Sequence, residues 1–314
     1  MATSQKTVFK VGKASPANTF LAIWMAEDAG LYAANGLQMD IVDMVGGSET
    51  GPALASGRVD LMHIGMSSVV RANGLGFDVR VIGSLSNVVR SALFTAPGVK
   101  TAEDLKGGVI GISSTGSESD PTTTLALTRI GLARDNITIK EIGVERLSAV
   151  RDGAVQATML GEPYRSQALA AGLTAIVDLL AERIPWVYSG LVVDRAYLRD
   201  HRQTLEAFMR ATVEANYLAV SDPERGTRVL ARALEIEDPE IAGIAYENFK
   251  AATPLNAEAS IEGAENIIAT VAAPDASHNI GDYVDASVSD RLREEGFFAA
   301  MADKYGIPDA GTVR

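Results

Sequence analysis

The segment Ser113-Ser114-Thr115-Gly116-Ser117-Glu118-Ser119 gathers hydroxyls and a glycine behind an apolar run and ahead of Pro121-Thr122, where a helical run begins. Backbone N–H groups left free where a strand ends and a helix starts offer donors and a positive potential. Hydroxyls add donors and acceptors, and Gly116 lets the main chain come close to a carboxylate or sulfonate. Ser114, Thr115, Gly116 and Ser117 are therefore candidate ligand contacts. Helix capping is the other use of the same hydroxyls. No Gly-Lys-Ser/Thr ending follows, which argues against a phosphate-loop nucleotidase. Removing the Thr115 and Ser117 hydroxyls together is expected to weaken ligand binding more than folding.

Three earlier segments have the same character. Ser15-Pro16-Ala17-Asn18-Thr19 precedes an apolar helix; Asn18 or Thr19 suits an N-cap and, if it faces a cleft, a ligand contact with Phe20 beside it. Gly46-Gly47-Ser48-Glu49 and Gly65-Met66-Ser67-Ser68 each follow a strand and precede a helix, which makes Gly47, Ser48 and Ser67 candidates. Later, Glu162-Pro163-Tyr164 ends a strand. Facing a cleft, Glu162 would favour an amine or heterocyclic N–H and disfavour a bare divalent anion; turned away, it caps a helix or pairs with Arg165. Trp186 and Tyr188 form either an aromatic wall for an organic ligand or packing at a hinge.

His63 lies on a strand whose neighbours Met62 and Ile64 point the other way, so it reads as a packed or supporting histidine. Arg71 could help His63 hold a carboxylate or sulfinate. Arg90 reads as a solvated strand-end residue, with anion binding as its alternative. His201 and His278 have no ligand-like spacing, and with three histidines in the chain no metal site is expected. No cofactor is indicated.

The elements that must position these groups fit a chain of 314 residues, 47% of them hydrophobic, enough for about two domains. Lys plus Arg number 28 against 40 Asp plus Glu, a net charge of −12 that opposes general binding to nucleic acid. The absence of cysteine removes disulfides and thiolate chemistry. No apolar stretch is long enough for a membrane span. Lys6, Lys10 and Lys13 ahead of 20–26 faintly resemble a signal peptide, but the apolar part is short and runs into Glu27-Asp28, so it reads as mature fold, with any leader already removed.

Strands are predicted at Val8–Lys13, Leu37–Asp43, Leu61–Gly65, Val79–Leu85, Ser91–Thr95, Val109–Ser113, Ile137–Ile142, Ala157–Leu160, Ala175–Asp178 and Ser189–Val193. Helical runs between them, including Thr19–Ala34, Ser67–Leu75 and Thr123–Ile130, give the α/β alternation. After Asp194 the chain reads as helix. Asp222-Pro223 and Asp238-Pro239 look like capped helix starts, and further helices are expected over Glu262–Ala272 and Ser289–Tyr305. Gly12 and Gly111 each sit in a strand that precedes a Ser-bearing loop, and Gly57 and Gly153 each open a later strand. The separations are 57 − 12 = 45 and 153 − 111 = 42, as two similar βαβ lobes would give.

Trp24-Met25-Ala26-Glu27-Asp28-Ala29-Gly30-Leu31-Tyr32, then Asn35-Gly36-Leu37, resembles the start of ABC-transporter solute-binding proteins of the nitrate, sulfonate, taurine and thiamine-precursor (NMT1/THI5-like) type. Ser56-Gly57-Arg58-Val59-Asp60 with Gly65, Asp104-Leu105-Lys106-Gly107, Gly111-Ile112 with Gly116-Ser117, and Gly161-Glu162-Pro163 match in the same order. The resemblance spans residues 8–220 and extends to the helical tail only in texture. It implies a type II periplasmic-binding fold with an interlobe cleft. Lobe two would be about 92–191, and lobe one 1–91 completed by the return segment and helices of 192–314.

The same resemblance implies capture of a small solute by lobe closure and delivery to a membrane ABC permease, by a monomer in the periplasm or another extracytoplasmic space. Hydroxyl-rich loops and the Trp186–Tyr188–Phe20 group point to a small organic acid or sulfonate, possible aromatics included. A thiamine-precursor pyrimidine is the alternative and would employ Glu162. An enzyme on the same fold acting on a carboxylate or sulfinate is the competing class, but without a thiol or a Ser–His–acid order it is not the expectation.

Overall fold

The computed structural model describes residues 6–14 and 16–307; Ser15 and the last residues of the tail lie outside them. Among the described residues, ten strands form two five-stranded sheets. The first has the order β2 (Leu37–Asp43), β1 (Thr7–Lys13), β3 (Leu61–Ile64), β10 (Pro185–Asp194), β4 (Val79–Val88). The second has the order β7 (Thr138–Glu141), β6 (Val109–Ile112), β8 (Ala157–Leu160), β5 (Ala92–Thr95), β9 (Thr174–Asp178). In each, the first three strands are parallel and a strand from elsewhere in the chain joins antiparallel. Parallel neighbours need crossovers, and the short helices between strands supply them.

All ten strands stand where the alternation of apolar runs places them. The largest difference is at β10, which begins at Pro185 instead of Ser189. Trp186 and Tyr188 therefore stand inside a strand of the first sheet. The long β4 and β10 pair with each other through three register shifts, and their ends at 88–92 and 178–185 are where the chain passes between the sheets.

Two expected helices are each split. Thr19–Ala34 is a 3-10 turn at Asn18–Phe20 followed by helices Leu21–Asp28 and Leu31–Ala34, and Ser289–Tyr305 is Ser287–Glu294 followed by Phe297–Tyr305. Both breaks fall on glycines in the left-handed region, Gly30 at φ 70° and Gly296 at φ 71°, where a residue with a Cβ is strained. The predicted caps at the tail hold: Asp222 accepts the Arg225 N–H at 3.0 Å and Asp238 the Glu240 N–H at 2.8 Å, each ahead of a first-turn proline.

The helical tail has no strand of its own among the described residues, and it covers the first sheet. Helix Arg202–Ser221 sends Leu205, Phe208, Met209 and Val213 into a core with Phe9, Val11, Leu21, Ile23 and Met25. On the other face, Ala264, Ile267 and Ile268 of helix Ile261–Val271 pack with Val69, Val81 and Trp186. Helix Pro239–Ala252 does something different. It reaches the second lobe, where its Asn248 side chain donates to Glu162 Oε1 at 3.1 Å.

Candidate functional site

A cavity of about 120 Å³ lies between the lobes. Lobe one lines it with the loop after β1 (Ala14, Pro16–Thr19), Gly46-Gly47 after β2, and His63–Gly65 at the end of β3. Lobe two lines it with Ser113 and Ser117–Ser119 after β6, Val144 and Arg146 after β7, and Met159, Gly161, Glu162 and Tyr164 at the end of β8. Arg90, where the chain passes between the sheets, and Tyr188 and Ser189 of β10 complete the wall. Every parallel strand thus presents its C-terminal end, as expected for a ligand site in an open α/β sheet.

Of the sequence candidates, Asn18, Thr19, Gly47, Ser117, Glu162 and Tyr188 meet on this cavity. The others are placed elsewhere. Phe20 is fully buried, its ring edge-on to His63 with centroids 5.0 Å apart. It is core. Ser48 is exposed and does not line the cavity. Ser67 is buried in the first turn of helix Met66–Gly74. Ser114 accepts from Ser117 Oγ through its carbonyl at 2.6 Å while its own side chain turns into the protein. Thr115 is exposed and bonds Glu141 through both its N–H and its hydroxyl. Gly116 lies under the Arg71 side chain, where a Cβ would collide with it. Trp186 is buried, 1% exposed. The hydroxyls of 113–119 mostly bond one another: Ser113 Oγ meets Ser117 Oγ at 2.6 Å, and Ser119 Oγ accepts the Ser113 N–H at 2.8 Å. These bonds hold the loop's shape.

Neither Asn18 nor Thr19 is an N-cap. Ala17 takes that position, and the Asn18 amide donates to the Ala245 carbonyl at 2.7 Å. Glu162 faces the cavity with its oxygens already engaged by Asn248, by the Ser166 N–H at 3.2 Å and by Arg165 at 3.5 Å.

Three charged residues define the site more sharply than the candidates do. Arg90, expected at a solvated end, is 3% exposed. Its Nη2 donates to the Asn248 carbonyl at 2.6 Å, and its Nη1 is buried without a protein partner. Burial pushes it down to about 10, so it remains a cation at neutral pH. Arg146 donates to the Gly143 carbonyl at 3.3 Å and has a buried Nε without a partner; burial lowers its pKa too. Glu118 is 9% exposed and reaches across to lobe one. Its Oε1 accepts the Ser67 N–H at 2.9 Å and its Oε2 accepts the Trp186 indole N–H at 2.5 Å. Burial raises its carboxyl to about 7 against the lowering effect of these bonds.

Signals for these residues existed. Arg90 sits in the apolar run Val88-Val89-Arg90-Ser91-Ala92, unusual company for a solvated arginine. Arg146 opens the helix after β7, the same topological position as the loops that were singled out. His63, 6% exposed, combines both readings: it packs on Phe20 and also borders the cavity. Burial drives its pKa down to about 4, so the imidazole is neutral, and Nε2 has no protein partner.

Among the described residues no cluster of metal-ligating side chains is present and no helix is long and apolar enough to cross a membrane.

Comparison with known proteins agrees with this architecture. The family model described as NMT1/THI5 like matches residues 17–226, about two thirds of the chain. A riboflavin-binding protein, RibY, of Chloroflexus aurantiacus is 26% identical over 215 residues, 65% of this chain and 60% of that protein. A 4-amino-5-hydroxymethyl-2-methylpyrimidine phosphate synthase of Schizosaccharomyces pombe is 29% identical over 113 residues, 35% of this chain and 32% of that one. Neither match reaches two thirds of the relative's length. Among solved structures, a protein of Bordetella bronchiseptica superposes with a TM-score of 0.80 at 20% identity, covering 93% of this chain and 98% of the other. The periplasmic aliphatic sulphonate binding protein SsuA of Escherichia coli gives 0.67 at 19% identity, covering 92% and 93%. With the family model spanning both lobes and the strands that join them, this chain belongs to the NMT1/THI5-like family.

Proposed function

We propose that this protein captures a small organic anion in its interlobe cavity and delivers it, in the closed form, to a membrane ABC import permease. The observation that carries the reading is the pair Arg90 and Arg146: one buried and one half-buried arginine, each with a buried, unpartnered nitrogen, on the wall of a cavity shared by both lobes. Buried donors without a partner are rare in folded proteins, and a guanidinium fits a carboxylate or sulfonate in geometry and charge. Contacts made by both lobes exist together only when the lobes meet, so such a solute shifts an open–closed equilibrium toward closure.

Size and polarity narrow the solute. An apolar cavity of about 150 Å³ accepts a benzene ring, so about 120 Å³ suits a single ring or a short chain and not a three-ring flavin. Tyr188, Met159 and Tyr164 give the organic body an apolar and aromatic surface. Carboxylates and sulfonates of this size are the preferred class. A thiamine-precursor pyrimidine would need a carboxylate ready to accept its N–H groups, and both Glu118 and Glu162 already accept from protein donors. That favours the acid.

Binding is preferred over catalysis on the same grounds. The chain has no cysteine, and the histidine on the cavity is neutral, packed against Phe20 and held at about 4, a poor general base near neutrality. The proposed setting is an extracytoplasmic space, with the protein acting as a monomer; the fold shared with a periplasmic sulphonate-binding protein supports the location.

Native mass spectrometry of the purified protein, followed by calorimetry on the molecule released, tests the reading. The expected result is a small acid bound one to one, with Arg90→Gln weakening it at least tenfold. A neutral or cationic molecule that binds Arg90→Gln as well as wild type would overturn it.

A further inference from the structure

Helix Met66–Gly74 of lobe one begins directly after Gly65, which lines the cavity, and a helix N-terminus is the usual place for an anion in such a fold. Here the anion is supplied by the protein. Glu118, from the loop after β6 in lobe two, puts its carboxylate on the Ser67 N–H at 2.9 Å and takes a second bond from the Trp186 indole at 2.5 Å. Gly65, the residue ahead of the helix, leaves room for it: a Cβ at that position would collide with the Glu118 carboxylate. The neighbouring His63 adds no positive charge, since its imidazole is neutral. The same cavity is also lined by buried Arg90, with Nη1 unpartnered, and half-buried Arg146, with Nε unpartnered.

From this juxtaposition we propose that Glu118 is a specificity-determining residue: it occupies the anion position of lobe one, so that the cavity takes a solute with a single anionic head, held at Arg90 and Arg146, and rejects dianions. The proposal rests on the anion-capture reading above and goes further, because that reading would be satisfied equally by a dicarboxylate bridging the two lobes. The charge pattern is asymmetric. A second carboxylate on the solute, aimed at lobe one, would meet the Glu118 carboxylate where it would otherwise have found the helix N–H groups. In a cavity walled by protein, like charges a few ångströms apart repel strongly. A neutral amide, hydroxyl or ring edge in that position meets no such penalty, and His63, whose Nε2 has no protein partner, lines the same cavity.

Two pairs of probes, alike in shape and one charge apart, test it: succinamate against succinate, and terephthalamate against terephthalate. Calorimetry at pH 8, where Glu118 is ionised, is expected to show the monoanion of the better-binding pair at least tenfold tighter than its dianion. In Glu118→Gln the ratio is expected to fall to about threefold or less, chiefly because the dianion gains. Gly65→Ala, which displaces the carboxylate without altering it, is expected to narrow the ratio in the same direction and serves if Glu118→Gln does not fold. Equal binding of mono- and dianion to wild type, or a ratio unmoved in the variants, overturns the role of Glu118 and leaves anion capture standing. Failure of all four acids to bind wild type overturns both.

Discussion

In the first lobe β1, with Gly12 near its end, runs between β2 and β3; in the second β6, with Gly111, runs between β7 and β8. Each glycine is bare for a packing reason, since a Cβ would collide with Met62 in one lobe and Ile142 in the other. Strand order and loop placement are thus repeated, yet the chemistry is divided unequally. Lobe one brings main chain and uncharged groups to the cavity: Asn18, Thr19, Gly46, Gly47 and neutral His63. Lobe two and the passage into it bring Arg90, Glu118, Arg146 and Glu162. The duplicated fold provides two sets of loops at one opening, and the side chains placed on them decide which half holds the charge of the solute.

Several substitutions would break or sharpen this contrast. The largest effect is expected where a residue beside the cleft belongs to the frame of lobe one. Phe20→Ala should cost about 3–5 kcal/mol of stability in a denaturant melt, and a loss under about 1 kcal/mol would mean that Phe20 is not core. Next comes the double variant Arg90→Gln, Arg146→Gln. It should lower affinity for the bound acid about 100-fold or more, because buried charge partners cost about 2–5 kcal/mol to truncate. An equal loss from Asn18→Leu would erase the asymmetry between the lobes.

Glu118 should make the ligand-free closed state depend on pH. Its carboxyl, at about 7 where it bridges the lobes against an ordinary 4.5, holds its proton more tightly when buried. Closure is therefore helped fully below about 4.5 and loses that help as pH rises through 7. The difference is about 3 kcal/mol at most. His63, already neutral above about 4, does not titrate in the window between. Small-angle scattering should show a more compact ligand-free protein at pH 5.5 than at pH 8, with the change flattened in Glu118→Gln; an unchanged radius would remove Glu118 from closure. Trp186→Phe, which deletes the indole donor to Glu118, should weaken solute binding by about 1–2 kcal/mol. The smallest effect is assigned to Thr115→Ala. Its hydroxyl is exposed and spent on Glu141, so affinity should change less than about twofold.

Much of the frame was legible in the sequence, because apolar period and turn residues are local properties. Leu37–Asp43 and Ala157–Leu160 begin and end as their apolar runs indicate, and the Asp-Pro pairs mark helix starts by a mechanism confined to four residues. The site was less legible, for a physical reason. The hydroxyl-rich loop 113–119 advertises binding chemistry, but whether Ser114 or Thr115 faces a ligand depends on partners such as Ser117 and Glu141, which sequence does not place. Arg90 was misread because an arginine beside a strand is normally solvated. Here helix Pro239–Ala252, some 150 residues later in the chain, folds over it and takes its Nη2 on the Asn248 carbonyl. Glu118 was hidden similarly: its partners Ser67 and Trp186 are 51 and 68 residues away. Local pattern found the loops, and long-range closure chose the side chains.

A crystal structure of the protein with the acid it carries addresses the central claim most directly. The account predicts the acid's head group within hydrogen-bond distance of both Arg90 Nη1 and Arg146 Nε, with its body against Tyr188 between the two sheets. A ligand whose charged group lies away from both guanidinium groups, or one bound outside the interlobe cavity, would contradict it.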